Sequence, residues 1–151
     1  MKSEKGFALL RIVFGGVWAI DAYFKWLPGF RNGLVAMIAS MISGQPTWIQ
    51  SWIHLWLRIV SINPSLFAVL IAVIETIIAL SLIFGLFTRP ILIGSIIFSV
   101  LIWSIAEGFG GPYIAGSTDI GCAIIYAFVG MALLLGQSWK AYSLDSLYSK
   151  S

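Results

Sequence analysis

Residues 66–87 read LFAVLIAVIETIIALSLIFGLF, an apolar run interrupted by one ionisable side chain, Glu75. About 20 apolar residues in a helix cross the roughly 30 Å hydrocarbon core of a bilayer, so this stretch predicts a transmembrane helix. It is entered through Asn63-Pro64-Ser65. Outward from it, three further spans are predicted, at about 7–27, 90–107 and 118–137. The first follows Lys2 and Lys5, has the length of a full span and lacks a small-residue cleavage site, so it reads as an uncleaved helix. Pro28-Gly29 ends it. The third opens at Thr88-Arg89-Pro90, where Thr88 suits a cap and Pro90 the first helical position. The fourth starts at Ser117 or Thr118, whose hydroxyls are candidate caps, and ends at Gln137 before Trp139 and Lys140 mark the membrane surface. The fold class is therefore an all-α integral membrane protein. It forms a single domain over residues 1–151, a four-transmembrane-helix bundle with a Trp-rich interfacial helix between spans one and two.

Composition agrees. Hydrophobic residues make up 60% and charged residues 10% of the chain, against about 25% charged in soluble domains. Such a surface has to meet lipid or other apolar subunits. The net charge of +3 comes from basic residues at segment ends, with no stripe that nucleic acid would require. One cysteine, Cys122, and one histidine, His54, exclude an internal disulfide, a bis-His haem and a three-His zinc site. No haem, flavin or metal is expected in this chain. Redox chemistry would use a partner's cofactors or an organic carrier such as a quinone.

Residues 33–60, between spans one and two, are not polar. Gly33 to Ile42 is too short to span, and Gly44-Gln45-Pro46 breaks it. Beyond the break, Gln50, His54 and Arg58 recur every four residues beside a face of Trp48, Trp52, Trp56 and Ile59. One polar stripe and several Trp residues suit the headgroup plane; a re-entrant or partner-covered helix fits the same pattern. Lys2, Lys5, Arg89, Lys140 and Lys150 fall on one side, with Arg11 near it, and Lys25, Arg31 and Arg58 on the other. The positive-inside rule then puts both termini in the cytoplasm, in a multi-pass protein of the cytoplasmic membrane.

Ionisable groups within a span cost about 2.5–3.5 kcal/mol each and have to be partnered. Glu75 is central in span two, and Arg11, one turn into span one, is its natural partner in a structural intramembrane ion pair. A proton or ligand role for Glu75 is the other reading. Asp21 and Lys25 are spaced for a local ion pair. At the outer end, Glu107 and Asp119 flank the loop Gly108-Phe109-Gly110-Gly111-Pro112-Tyr113, which lacks the ending of a phosphate loop. Asp119, Cys122 and Tyr126 line one face of span four. Carboxylates, phenols and Trp103 beside an apolar interior offer what a quinone headgroup uses: hydrogen-bond partners, a proton route and a slot for its tail.

These residues resemble the DoxX/DoxD family. Leu10-Arg11-Ile12 looks like the opening of such proteins, as does Glu75 followed by Gly85-Leu86-Phe87-Thr88-Arg89. Phe109-Gly110-Gly111-Pro112-Tyr113, with Gly116-Ser117-Thr118-Asp119-Ile120-Gly121 and Ile124-Ile125-Tyr126, is most similar to the DoxD branch. The resemblance covers roughly residues 7–135. It implies a small membrane subunit of an archaeal-type thiosulfate:quinone oxidoreductase, passing electrons to quinone beside a DoxA-like subunit. Catalytic roles would fall to Asp119 and Glu107, and quinone binding to Tyr113, Tyr126, Trp103 and Asp21. The alternative is a non-catalytic accessory subunit of a larger membrane complex.

Overall fold

The computed structural model describes residues 2–117 and 119–148, and among them there is no β-strand. Among the described residues seven α-helices follow one another: α1 (Lys2–Trp26), α2 (Pro28–Ser40), α3 (Thr47–Ile62), α4 (Pro64–Phe84), α5 (Thr88–Ile105), α6 (Ala123–Leu135) and α7 (Leu144–Tyr148). Helices α1, α4 and α5 are long and apolar enough to cross a membrane. The outward faces of all four long apolar segments carry large side chains such as Val13, Leu70, Ile97 and Phe128, the surface that lipid covers.

The fourth predicted span begins later than expected. Helix α6 has 13 residues, about 20 Å at 1.5 Å per residue, which is short of a bilayer core. It starts late because residues 111–117 and 119–122 are not helical. The Ser117 hydroxyl is used inside that loop, donating to Pro112 O at 2.6 Å and accepting from Ile114 N at 3.0 Å. Thr118 lies outside the described residues. At its other end α6 stops where Gln137 takes a left-handed φ of 51°, and a 3-10 turn, Ser138–Lys140, continues the chain.

Local signals explain the other boundaries. Asn63 Oδ1 accepts from Leu66 N at 3.1 Å, Pro64 needs no donor in the first turn, and Gly85 closes α4 with a left-handed φ of 67°. Thr88 does not cap α5. Its hydroxyl is buried, and Asp145 reaches from the C-terminal segment to accept from Phe87 N at 2.9 Å and Thr88 N at 2.8 Å. The segment between spans one and two is a helix pair broken at 41–46. Ile49, Ile53 and Val60 of α3 pack on Leu34 and Ile38 of α2 and Ala68 of α4, leaving His54 and Arg58 exposed.

Helices α1 and α4 pack antiparallel and close. A Cβ on Gly15 would sit 2.9 Å from the backbone nitrogen of Ile83, so only glycine lets the helices approach this far. Their register decides the partner of Arg11. The guanidinium is fully buried and donates from Nε to Leu82 O at 2.9 Å, from Nη1 to Ser138 O at 2.8 Å and from Nη2 to Tyr142 O. It does not pair with Glu75: seven residues of α4, about 10 Å of rise, separate Glu75 from Leu82.

A hydrogen bond to a charged group contributes about 1.5–3 kcal/mol, and Arg11 makes three good ones. Arg11→Met is expected to lower the thermal unfolding midpoint in mild detergent strongly. Arg11→Lys should recover only part of it, because an ammonium cannot fork between two helix ends. Size-exclusion chromatography after a heating series measures both.

Candidate functional site

Two polar regions stand out, and they divide the predicted site residues between them. The first is inside the helix bundle. Antiparallel packing brings Lys25, in the last turn of α1, beside Glu75, and Nζ lies 3.5 Å from Glu75 Oε1. The expected local pair between Asp21 and Lys25 is replaced by this interhelical one, and the ammonium also sits over the Phe30 ring at 5.2 Å. Glu75 is 1% exposed, and its Oε2 has no hydrogen-bond partner among the described residues. Asp21 faces both Glu75 and the Tyr126 hydroxyl. The Tyr126 ring meets Trp18 and Phe14 edge-on at 5.3 and 5.5 Å. Lys25 and Glu75 thus tie α1 to α4, and the Tyr126 ring of α6 packs on Phe14 and Trp18 of α1.

The second region is a cleft of about 610 Å³ between the start of α3 and the loop after α5. Its walls are Gln45, Trp48, Trp103, Phe109, Pro112 and Tyr113. Phe109 holds a left-handed backbone, φ 60°, uncommon for a bulky residue. Its ring is clamped between Trp48 at 5.3 Å and Trp103 at 5.2 Å. The strain is held by this clamp, and such backbone outliers cluster at binding sites. A second groove of about 430 Å³ shares Trp48 and Phe109 and runs along Ser51, Trp52 and Leu55 of α3.

Of the predicted quinone ligands, Trp103 and Tyr113 line the cleft; Asp21 and Tyr126 do not. Glu107 and Asp119 do not line it either. Both oxygens of Glu107 accept from Ala123 N, at 3.1 and 3.2 Å, so this carboxylate caps α6. Asp119 is exposed and its Oδ1 accepts from Gly121 N at 2.8 Å. Trp103 donates to Ile120 O at 2.6 Å and Tyr113 to Phe109 O at 2.5 Å, which pins the loop on itself. Sequence reasoning missed Gln45, Trp48 and Phe109 as site residues. Gln45 lies in the Gly44-Gln45-Pro46 break, whose turn chemistry masked a buried amide. Among the described residues, no group of three His, Cys, Asp or Glu side chains is placed to hold a metal ion.

The family model described as DoxX matches residues 6–108, from α1 through the start of the cleft loop. No curated protein and no solved structure shows a significant match to the chain.

Removing one partner of a buried pair costs about 3–5 kcal/mol, because the other charge is left uncompensated. Lys25→Met should therefore destabilise the protein, and adding Glu75→Gln should restore more than half of the loss. A double-mutant cycle on thermal unfolding reads the coupling; purely additive losses would mean that the two groups do not interact.

Proposed function

The chain belongs to the DoxX family, and from that premise we propose that it is a DoxD-like membrane subunit of a thiosulfate:quinone oxidoreductase-type complex, with the quinone headgroup in the α3–loop cleft. The observation that carries this reading is the aromatic clamp of Trp48, Phe109 and Trp103 around a cleft of about 610 Å³. Small-molecule sites typically enclose about 300–1,000 Å³ with aromatic walls and few polar groups. A flat ring fits between such walls, and the neighbouring groove along Trp52 and Leu55 takes an isoprenoid tail.

Reduction of a quinone to a quinol takes two electrons and two protons. The electrons come from a partner that oxidises thiosulfate, a DoxA-like subunit; one histidine and one cysteine supply neither a bis-His haem nor a four-cysteine iron–sulfur site in this chain. We assign Trp103 and Tyr113 to headgroup binding. Glu107 and Asp119 build the loop, their oxygens engaged by backbone amides, and the Asp21–Tyr126 region organises the bundle. With both termini cytoplasmic, the cleft opens on the outer side of the cytoplasmic membrane, and the fourth crossing that this topology requires falls to α6 together with the turn that follows it.

The alternative, an accessory subunit without a bound quinone, is favoured by that same engagement of Glu107 and Asp119, which leaves no carboxylate on the cleft wall. Calorimetric titration of the purified protein with decyl-benzoquinone separates the two. Aromatic ring contacts contribute about 0.5–1.5 kcal/mol each. Phe109→Leu and Trp103→Leu are accordingly expected to weaken binding by roughly three- to tenfold, and Glu107→Gln to leave it unchanged. A folded protein that takes up no quinone, and that co-purifies with a large complex, would establish the accessory role instead.

A further inference from the structure

The polar atoms around the cleft are unevenly matched. Gln45 is 5% exposed and sits in the turn between α2 and α3. Its Nε2 donates to Gly108 O at 3.1 Å, and its backbone carbonyl accepts from Gln50 Nε2 at 2.7 Å. Its Oε1 is buried and has no partner among the described residues. The orientation of the amide is fixed, because a flip would turn Oε1 onto the Gly108 carbonyl and exchange a hydrogen bond for two facing oxygens. The side-chain donors of the cleft wall are spent, Trp103 Nε1 on Ile120 O and the Tyr113 hydroxyl on Phe109 O; Trp52 Nε1, without a partner among the described residues, belongs to the neighbouring groove that takes the tail. Trp48 stands at the rim, 63% exposed, where water satisfies its indole. The buried group left over in the wall is an acceptor.

A quinone headgroup offers only carbonyl oxygens, which are acceptors. A quinol offers two hydroxyl donors. We infer that the cleft prefers the reduced, hydroxyl-donating headgroup, with Gln45 Oε1 as the acceptor that reads it. This rests on the cleft being the quinone site. A buried acceptor that gains its donor in one ligand and not the other gives a preference of about tenfold or more. Tighter binding of the reduced form raises the potential of the bound couple, by about 30 mV for each tenfold. A quinone held there takes electrons from the partner subunit more readily than one free in the bilayer.

Gly111 provides the test. Its backbone, φ −88° and ψ −177°, is open to any residue. A Cβ there would lie 2.8 Å from Gln45 Oε1, so Gly111→Ala displaces or shields the acceptor without straining the chain. The purified protein and this variant are titrated anaerobically by calorimetry with decyl-benzoquinone and decyl-benzoquinol. The expected result is a quinol affinity at least about tenfold above that of quinone, falling to near parity in Gly111→Ala while the quinone affinity holds. Equal affinities in the unmodified protein, or a preference for quinone, overturn the inference and leave the cleft as a quinone site. A full quinol preference in Gly111→Ala removes Gln45 from the role. Uptake of neither form overturns the cleft reading itself.

Discussion

A charge buried among apolar helices has to find all its partners within the chain, and Arg11 sets that constraint for the whole molecule. Its guanidinium is fully buried, and its donors end on carbonyls of α4 and of the turn after α6. Both are helix C-terminal ends, where carbonyls lack intrahelical donors and the helix dipole is negative. The arrangement solves two problems together. The cation gains a ring of oxygens, and the backbone interrupted at Gln137 gains the donors it needs to stay within an apolar surround. The neighbouring details follow. Gly85 has no room for a Cβ against Ser143 and Arg11, and Asp145 is drawn over the start of α5, near enough to offset part of the charge.

The far end of the bundle is built on a different logic. Lys25 and Trp26 reach from α1 to Glu75 and Thr76 of α4, so α1 is tied to α4 at both ends. Above this tie the loop after α5 closes on itself and on Gln45 through backbone carbonyls. Binding surface and bundle chemistry are thereby separated. The ionisable side chains hold helices together, while the cleft is walled by rings and one amide. A ligand in that cleft meets little charge, which suits a neutral headgroup.

Much of this architecture was legible in the sequence, and the reasons are local. Apolar length marks α1, α4 and α5; Asn63-Pro64 and Gly85 mark the ends of α4; Gly44-Gln45-Pro46 marks the break before α3. The misreadings share one cause, dependence on register between distant segments. Arg11 and Glu75 are the natural pair by charge, yet antiparallel packing sets Arg11 beside Leu82 and Lys25 beside Glu75. Asp21 and Lys25 have ideal spacing on one helix, but Lys25 points across the helix interface. The start of α6 is fixed by Glu107, 16 residues upstream, so hydropathy alone placed it too early. Gln45 was invisible as a site residue because its role arises where the loop at Gly108 folds over it.

The contacts of Arg11 also order the chain in time. Its carbonyl partners at Ser138 and Tyr142 lie 127 and 131 residues away. At about 5–20 residues per second, a ribosome adds them roughly 6–26 seconds after Arg11. During that interval the guanidinium has at most the Leu82 carbonyl of its three close acceptors. A chain cut before residue 138 leaves this cation without two of its three close carbonyl acceptors, so the interaction that holds the bundle also ties α1 to the segment after α6.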